Sequence, residues 1–145
     1  MDREIEKRAR QFVESLPHAR SLAMKVEQIT EGQAIMRMPY DARLVGDPST
    51  GVIFGGAVSA LLDTCAGLSV FVHPDARTAM ATLDLRIDYM RAATPGQDIR
   101  AHAICYHVTQ NVAFVRATAS DDDTDNIVAS AAGAFSLDFE KGPRV

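Results

Sequence analysis

Apolar positions change their rhythm several times along this chain. Ile5, Ala9, Phe12 and Leu16 recur at steps of four and three, with Arg3, Lys7 and Arg10 falling elsewhere. That spacing predicts an amphipathic helix over residues 2–16, ended by Pro17. Leu22, Met24 and Val26 then alternate with polar neighbours, Gly32 supplies a turn, and Ala34, Met36 and Met38 alternate again. This is the pattern of a hairpin. Pro39 to Gly51 contains Pro, Gly, Asp and Ser and reads as a loop. A helix is predicted from about Gly55 to Val72, closed by His73-Pro74. Four alternating segments follow, at 79–91, 98–109, 111–120 and 126–139. Thr94-Pro95-Gly96, a tight turn near Gln110-Asn111 and the acidic turn Asp121–Asn126 separate them. The order α-β-β-α-β-β-β-β predicts an α+β fold, one antiparallel sheet with one dominant helix.

That helix is unusual. Projected at 100° per residue, Val58, Leu61, Leu62, Cys65, Ser69 and Val72 form one stripe, which is expected to face the sheet. The opposite side carries Gly56, Ala60, Asp63, Gly67 and Val70, with no Lys, Glu or Arg. A helix without a polar face is expected to be buried on all sides. Gly56, Ser59, Ala60 and Gly67 are small enough to let another backbone approach, so the sheet, a second subunit or both should cover it. Asp63 is then a lone carboxylate in an apolar setting, which points to chemistry or to a structural partner such as a loop or an Arg across an interface. Gly55-Gly56 opens the same helix, where free N–H groups and the positive dipole end suit a carbonyl oxygen. Acid and amide lie roughly 10 Å apart along one helix. They can act together only across an interface between two copies.

Composition narrows the classes. At 145 residues the chain is one domain in size: a helix over 1–17, a core over 18–139 and a tail over 140–145. A formal net charge of -4 argues against non-specific nucleic-acid binding. Cys65 and Cys105 are too few for a disulfide framework or a structural zinc site. Val52 to Val72 is apolar enough to suggest a membrane span. However, Asp63 in its middle would cost roughly 2.5–3.5 kcal/mol on insertion scales, and no basic residues flank it. The first 20 residues are charged throughout, so no secretory signal and a cytoplasmic setting are expected.

The stretch Gly51-Val-Ile-Phe-Gly-Gly-Ala-Val-Ser-Ala-Leu-Leu-Asp63-Thr-Cys-Ala-Gly67 resembles the signature of the PaaI-like hotdog-fold thioesterases. That signature is His-Gly-Gly, then Leu-x-Asp with the acid seven residues after the second Gly. The strand from Thr82 to Arg91, followed by Ala-Thr-Pro-Gly96, and the later Val112-Ala-Phe-Val-Arg-Ala117 are also similar to that family. The resemblance implies a helix wrapped by an antiparallel sheet, and subunits paired with active sites at the interface, often as dimers of dimers. It also implies acyl-CoA hydrolysis with no cofactor, coenzyme A being part of the substrate. Carried over residue by residue, Asp63 matches the catalytic acid and Gly55 the glycine whose N–H polarises the thioester carbonyl. Thr82 matches a hydroxyl that helps place water, and Asp47 lies near an Asn or Gln that assists at the scissile group. Two departures stand out: Phe54 occupies the place of the usual His, beside Gly56 at the substrate, and Asp47 is an acid in place of an amide.

Arg86, Arg91 and Arg116 are candidate grips for the phosphates of coenzyme A, with ordinary solvated arginines, or ion pairs with Asp84 or Asp88, as the alternative. Asp84 and Asp88 should share one strand face with Thr82 and Arg86. His102 and His107 are an odd number apart on a strand, so they should point to opposite faces and no metal site is expected. Phe54 favours a second reading, a non-catalytic hotdog that binds acyl-CoA or a lipid without cleaving it.

Overall fold

The computed structural model describes residues 1–76 and 80–137. The predicted strand limits at 79 and at 138–139, and the tail, lie outside these residues. Helix α1 runs over Arg3–Ser15, capped by the Asp2 carboxylate, which accepts from the Glu4 N–H. A short helix that the apolar rhythm does not predict, α2 (Pro17–Ser21), follows at once. It uses Leu22 and Met24 in a turn, with Ala23 at φ 52, so the first strand starts later than the alternation suggests. Strands β1 (Lys25–Thr30) and β2 (Gln33–Met38) form the expected hairpin. The long helix α3 spans Gly55–Phe71. Strands β5 (Met80–Tyr89), β6 (Ile99–Val108), β7 (Val112–Ser120) and β8 (Ala129–Leu137) complete an antiparallel six-stranded sheet in the order β1-β2-β6-β7-β8-β5.

Small side chains explain how one helix sits so close to this sheet. Ala101 and Ala103 on β6, Ala113, Ala117 and Ala119 on β7, and Ala129 and Ala131 on β8 are all buried. Over this shallow floor lie Leu61, Leu62, Cys65 and Leu68 of α3, fully buried, with Met36 and Met38 of β2 beside them. Burying a side chain of the Leu or Met class contributes about 1.5–3 kcal/mol, so this seam dominates the core. Phe12 of α1 stacks on Phe71 at 5.2 Å between ring centres and ties the first helix to the end of α3.

The loop before α3 is more ordered than its composition suggests. It holds a 3-10 turn over Ala42–Leu44 and a small hairpin of β3 (Val45–Asp47) and β4 (Val52–Ile53). The Tyr40 hydroxyl donates to the Gly51 carbonyl, and the Phe54 N–H donates to the Leu44 carbonyl. These bonds deliver Phe54 to the helix start in extended conformation (φ -61, ψ 133).

Among several register shifts, including one in β1 between Val26 and Gln28, two β-bulges overturn the simple two-residue alternation where it bears on the candidate residues. One lies between Thr82 and Asp84, the other between Cys105 and His107. The first bulge separates Thr82 from Asp84, Arg86 and Asp88, the four residues expected on one face. Thr82 is opposite buried Phe135 and turns to the helix, whereas the other three lie on the outer face. The second places His107 opposite Phe114, on the same outer face as His102. Those histidines pair with Phe114 and Thr118, four positions apart on β7, or about 13 Å. Distance, not facing, keeps them from sharing a metal ion.

Candidate active site

Helix α3 is covered on its sheet side and open along one strip. Gly56 is exposed, and Ser59, Ala60, Asp63 and Gly67 are half-buried, so in one chain the helix is not enclosed on all sides. Strand β5 runs beside this strip. The Thr82 hydroxyl donates to Oδ1 of Asp63 at 2.8 Å. This joins the two residues singled out as acid and hydroxyl. The bulge after Thr82 makes the contact possible, since unbroken alternation would put Thr82 and inward-facing Leu85 and Ile87 on opposite faces.

At the helix start the cap residue Phe54 makes no side-chain hydrogen bond. Gly55 and Gly56, as the first helical residues, present N–H groups that cannot bond within the helix. A Cβ on Gly56 would lie 2.5 Å from Cε1 of Phe54, so this ring, 64% exposed, lies against the glycine. A Cβ on Gly55 would lie 3.3 Å from Cε1 of Tyr89. The Tyr89 hydroxyl donates to the Gly55 carbonyl at 2.9 Å and bonds Oγ of Ser59, which also reaches that carbonyl at 3.2 Å. Tyr89 and Ser59 were not singled out from the sequence. Beside Gly55 a cleft of about 390 Å³ opens, lined by Val52, Ile53, Val58, Tyr89, Met90 and Ala93 among others.

The other candidates go elsewhere. Asp47 is exposed and its carboxylate accepts from the Ser49 N–H (3.0 Å) and hydroxyl (2.6 Å). Those bonds hold its pKa below the usual carboxylate value and fix the β3–β4 turn. Arg91 is not free to grip a phosphate. Its guanidinium forms a two-point pair with Asp121 (2.8 and 2.7 Å), and its remaining N–H groups bond the carbonyls of Asn126, Ala92 and Asp123. Asp121, only 2% exposed, also accepts from the Thr94 N–H. Arg91 first, then Thr94 and Asp123, hold the carboxyl well below the usual range against the opposing effect of burial. The acidic turn gave no sign of this role. Arg116 is on the sheet's outer face, 4.2 Å from the centre of the Tyr106 ring, and so is turned away from the strip.

A central helix wrapped by an antiparallel sheet, opened by two glycines and carrying a half-buried acid that a hydroxyl of the flanking strand orients, defines a class: a hotdog domain. The family comparison agrees. The model of the thioesterase superfamily matches residues 50–128, which include both glycines, Asp63 and Thr82. The chain belongs to that superfamily, with the hotdog fold, and is a thioester hydrolase. It is similar to the medium/long-chain acyl-CoA thioesterase YigI of Salmonella typhimurium, 25% identical over 134 residues covering 83% of this chain and 86% of that protein. A Pseudomonas aeruginosa protein of known crystal structure is 41% identical, with a TM-score of 0.81 over 92% of this chain and 99% of that one. The PaaI protein of the E. coli phenylacetic acid degradation operon shares the fold, with a TM-score of 0.80 at 19% identity over 93% and 94% of the two chains. Among the described residues no helix is long and apolar enough to cross a membrane.

Proposed function

We propose that the chain hydrolyses an acyl-CoA thioester to the free acid and coenzyme A, with Asp63 as the reacting carboxylate. The observation that carries this is the Thr82–Asp63 hydrogen bond, since it orients an acid that the open strip leaves reachable. The thioester oxygen accepts from the Gly55 N–H, and one such donor is typically worth about 2.7–4 kcal/mol. Asp63 takes a proton from water as the water oxygen bonds to the carbonyl carbon. The carbon–sulfur bond then breaks, and the departing thiolate takes the proton back. Alternatively Asp63 attacks the carbon itself and the carbon–sulfur bond breaks, giving a mixed anhydride and the thiolate. Water then opens the anhydride, returning the Asp63 carboxylate and the free acid, and the proton released goes to the thiolate.

One helix cannot bring its own first amide and its own Asp63 to one carbonyl. The reading therefore includes a homodimer in which each site takes the amide from one copy and the acid from the other. Strand β5 supports this: among the described residues it is the last strand of the sheet, unpaired on one side, and Phe54 at the helix start, Leu83 and Tyr89 on the strand and Met90 just after it are exposed apolar side chains. A dimer of dimers extends the same proposal. The substrate class is aryl or medium-chain acyl-CoA, supported by the apolar cleft beside Gly55 and by the likeness to YigI.

Release of free thiol from a panel of acyl-CoAs tests the activity, and Asp63→Asn tests the residue. The substitution should lower kcat by about 10²–10⁴-fold with KM little changed. Equal turnover would end the assignment. The exposed Phe54 ring in place of a hydrogen-bonding side chain favours a second reading, a protein that binds acyl-CoA or lipid without cleaving it; binding with no thiol release by the wild type would select it.

A further inference from the structure

Two consecutive glycines make the first turn of α3 the most permissive stretch of that helix, and the cap residue adds no side-chain bond. Yet a carbonyl polarised there needs amides held in fixed directions before it arrives. The structure supplies the missing restraint from β5. Tyr89 ends that strand on the helix-facing side, opposite buried Ala129. Its ring fills the space against Gly55 and its hydroxyl donates to the Gly55 carbonyl. Ser59, one turn along, adds a hydroxyl at the same oxygen and bonds Tyr89. Two hydroxyl hydrogens serve these three contacts, so one donates to the carbonyl and the other to the carbonyl or to its neighbour. Regular helix geometry adds the Ser59 N–H to the same acceptor.

We propose that Tyr89, assisted by Ser59, is a positioning residue that fixes the Gly55–Gly56 peptide, and with it the Gly56 N–H beside the Gly55 N–H that receives the thioester oxygen. The inference rests on the thioesterase reading above. The Gly55 carbonyl and the Gly56 N–H belong to one planar unit, so pinning the oxygen sets the direction of the N–H. Hydrogen bonds onto the oxygen also polarise the unit, strengthening the Gly56 N–H as a donor by about 10–30% per bond. A single chain already holds this arrangement, so pairing of subunits need only bring the acid.

Tyr89→Phe removes the hydroxyl and keeps the ring. It should lower kcat about three- to tenfold, the scale of one neutral hydrogen bond, with KM unchanged within about twofold. Backbone order parameters from ¹⁵N relaxation should fall at Gly55 and Gly56 from the rigid value of ~0.85, and stay constant in the rest of α3. Ser59→Ala should act in the same direction but less, and the double variant should lose less than the product of the two. Unchanged kcat with unchanged glycine order would overturn the proposal, as would a rise in KM alone, which would make Tyr89 only a wall of the cleft. If the wild type releases no thiol, the thioesterase reading fails, but glycine order in the two variants still decides the positioning role. If Tyr89→Phe does not fold, Ser59→Ala carries the same test.

Discussion

Asp63 and Asp121 are acids in contrasting settings. Asp63 is half-buried on a strip with one hydroxyl partner among the described residues, the arrangement of a group left available. Asp121 is fully enclosed and bonded by a guanidinium and two backbone N–H groups, the arrangement of a structural anion. Its folded-state pKa lies below the ordinary value of about 4, so its contribution to stability is complete above that value and is lost as pH falls through the folded-state pKa. Asp121→Asn should therefore lower the melting temperature by about 5–10 °C at pH 7. The gap between variant and wild type should narrow below about pH 4; thermal melts from pH 7 to 2.5 check this. A gap that stays constant would mean the charge is not what stabilises the turn. Both cysteines are buried, and burial pushes the Cys65 thiol up to about 12 and the Cys105 thiol to about 11, which disfavours a thiolate near neutral pH.

At the scale of elements, the bulge in β5 connects strand to site. Just past it Gly133 pairs with Leu85, and a Cβ there would run into the Asp84 carbonyl oxygen and lie 3.0 Å from the Leu85 Cα. Backbone cannot swing aside, so Gly133→Ala should cost about 1–3 kcal/mol and, by shifting β5, reduce turnover as well. Gly56→Ala is the control. Its Cβ would meet the Phe54 ring, an exposed side chain that can rotate away, so stability should hold within about 0.5 kcal/mol. Denaturant titrations of the two variants compare them, and equal losses would refute the distinction. The same bulges mark where the sequence stopped being legible. The α3 boundaries, the hairpin and the four later strands followed from periodicity, because long repeats average over local faults. Which way Thr82 or His107 faces did not, because one extra residue reverses every later position and no local composition announces it. The choice between the two readings of Arg91 was not legible for a related reason: four of its five bonds go to an acidic turn some thirty residues away and the fifth to the Ala92 carbonyl, and only the folded chain brings turn and arginine together. The helix α2 was hidden by an apolar alternation at Leu22 and Met24 that the chain uses in a turn.

The whole molecule presents a sheet closed around a helix on one side and open on the other. Along that opening lie the unpaired edge of β5, the strip of α3 with Asp63, and the glycine pair. An exposed strand edge beside apolar side chains is a surface for another chain, and two-fold pairing would set one Asp63 near the other copy's helix start. Gly55→Pro isolates the amide. Proline is well suited to the first helical position, where the N–H it removes has no partner within the helix, and Phe54 already has the extended backbone a following proline requires. The proline Cβ would rest 3.3 Å from Cε1 of the Tyr89 ring. Asp63→Asn isolates the acid. Thiol release by the two variants alone and after refolding them together in equal amounts tests the shared site most directly. Each alone should be slow, and the statistical mixture should recover about a quarter of wild-type turnover, because half its dimers carry one complete site. A mixture no faster than the mean of the two variants would contradict the account.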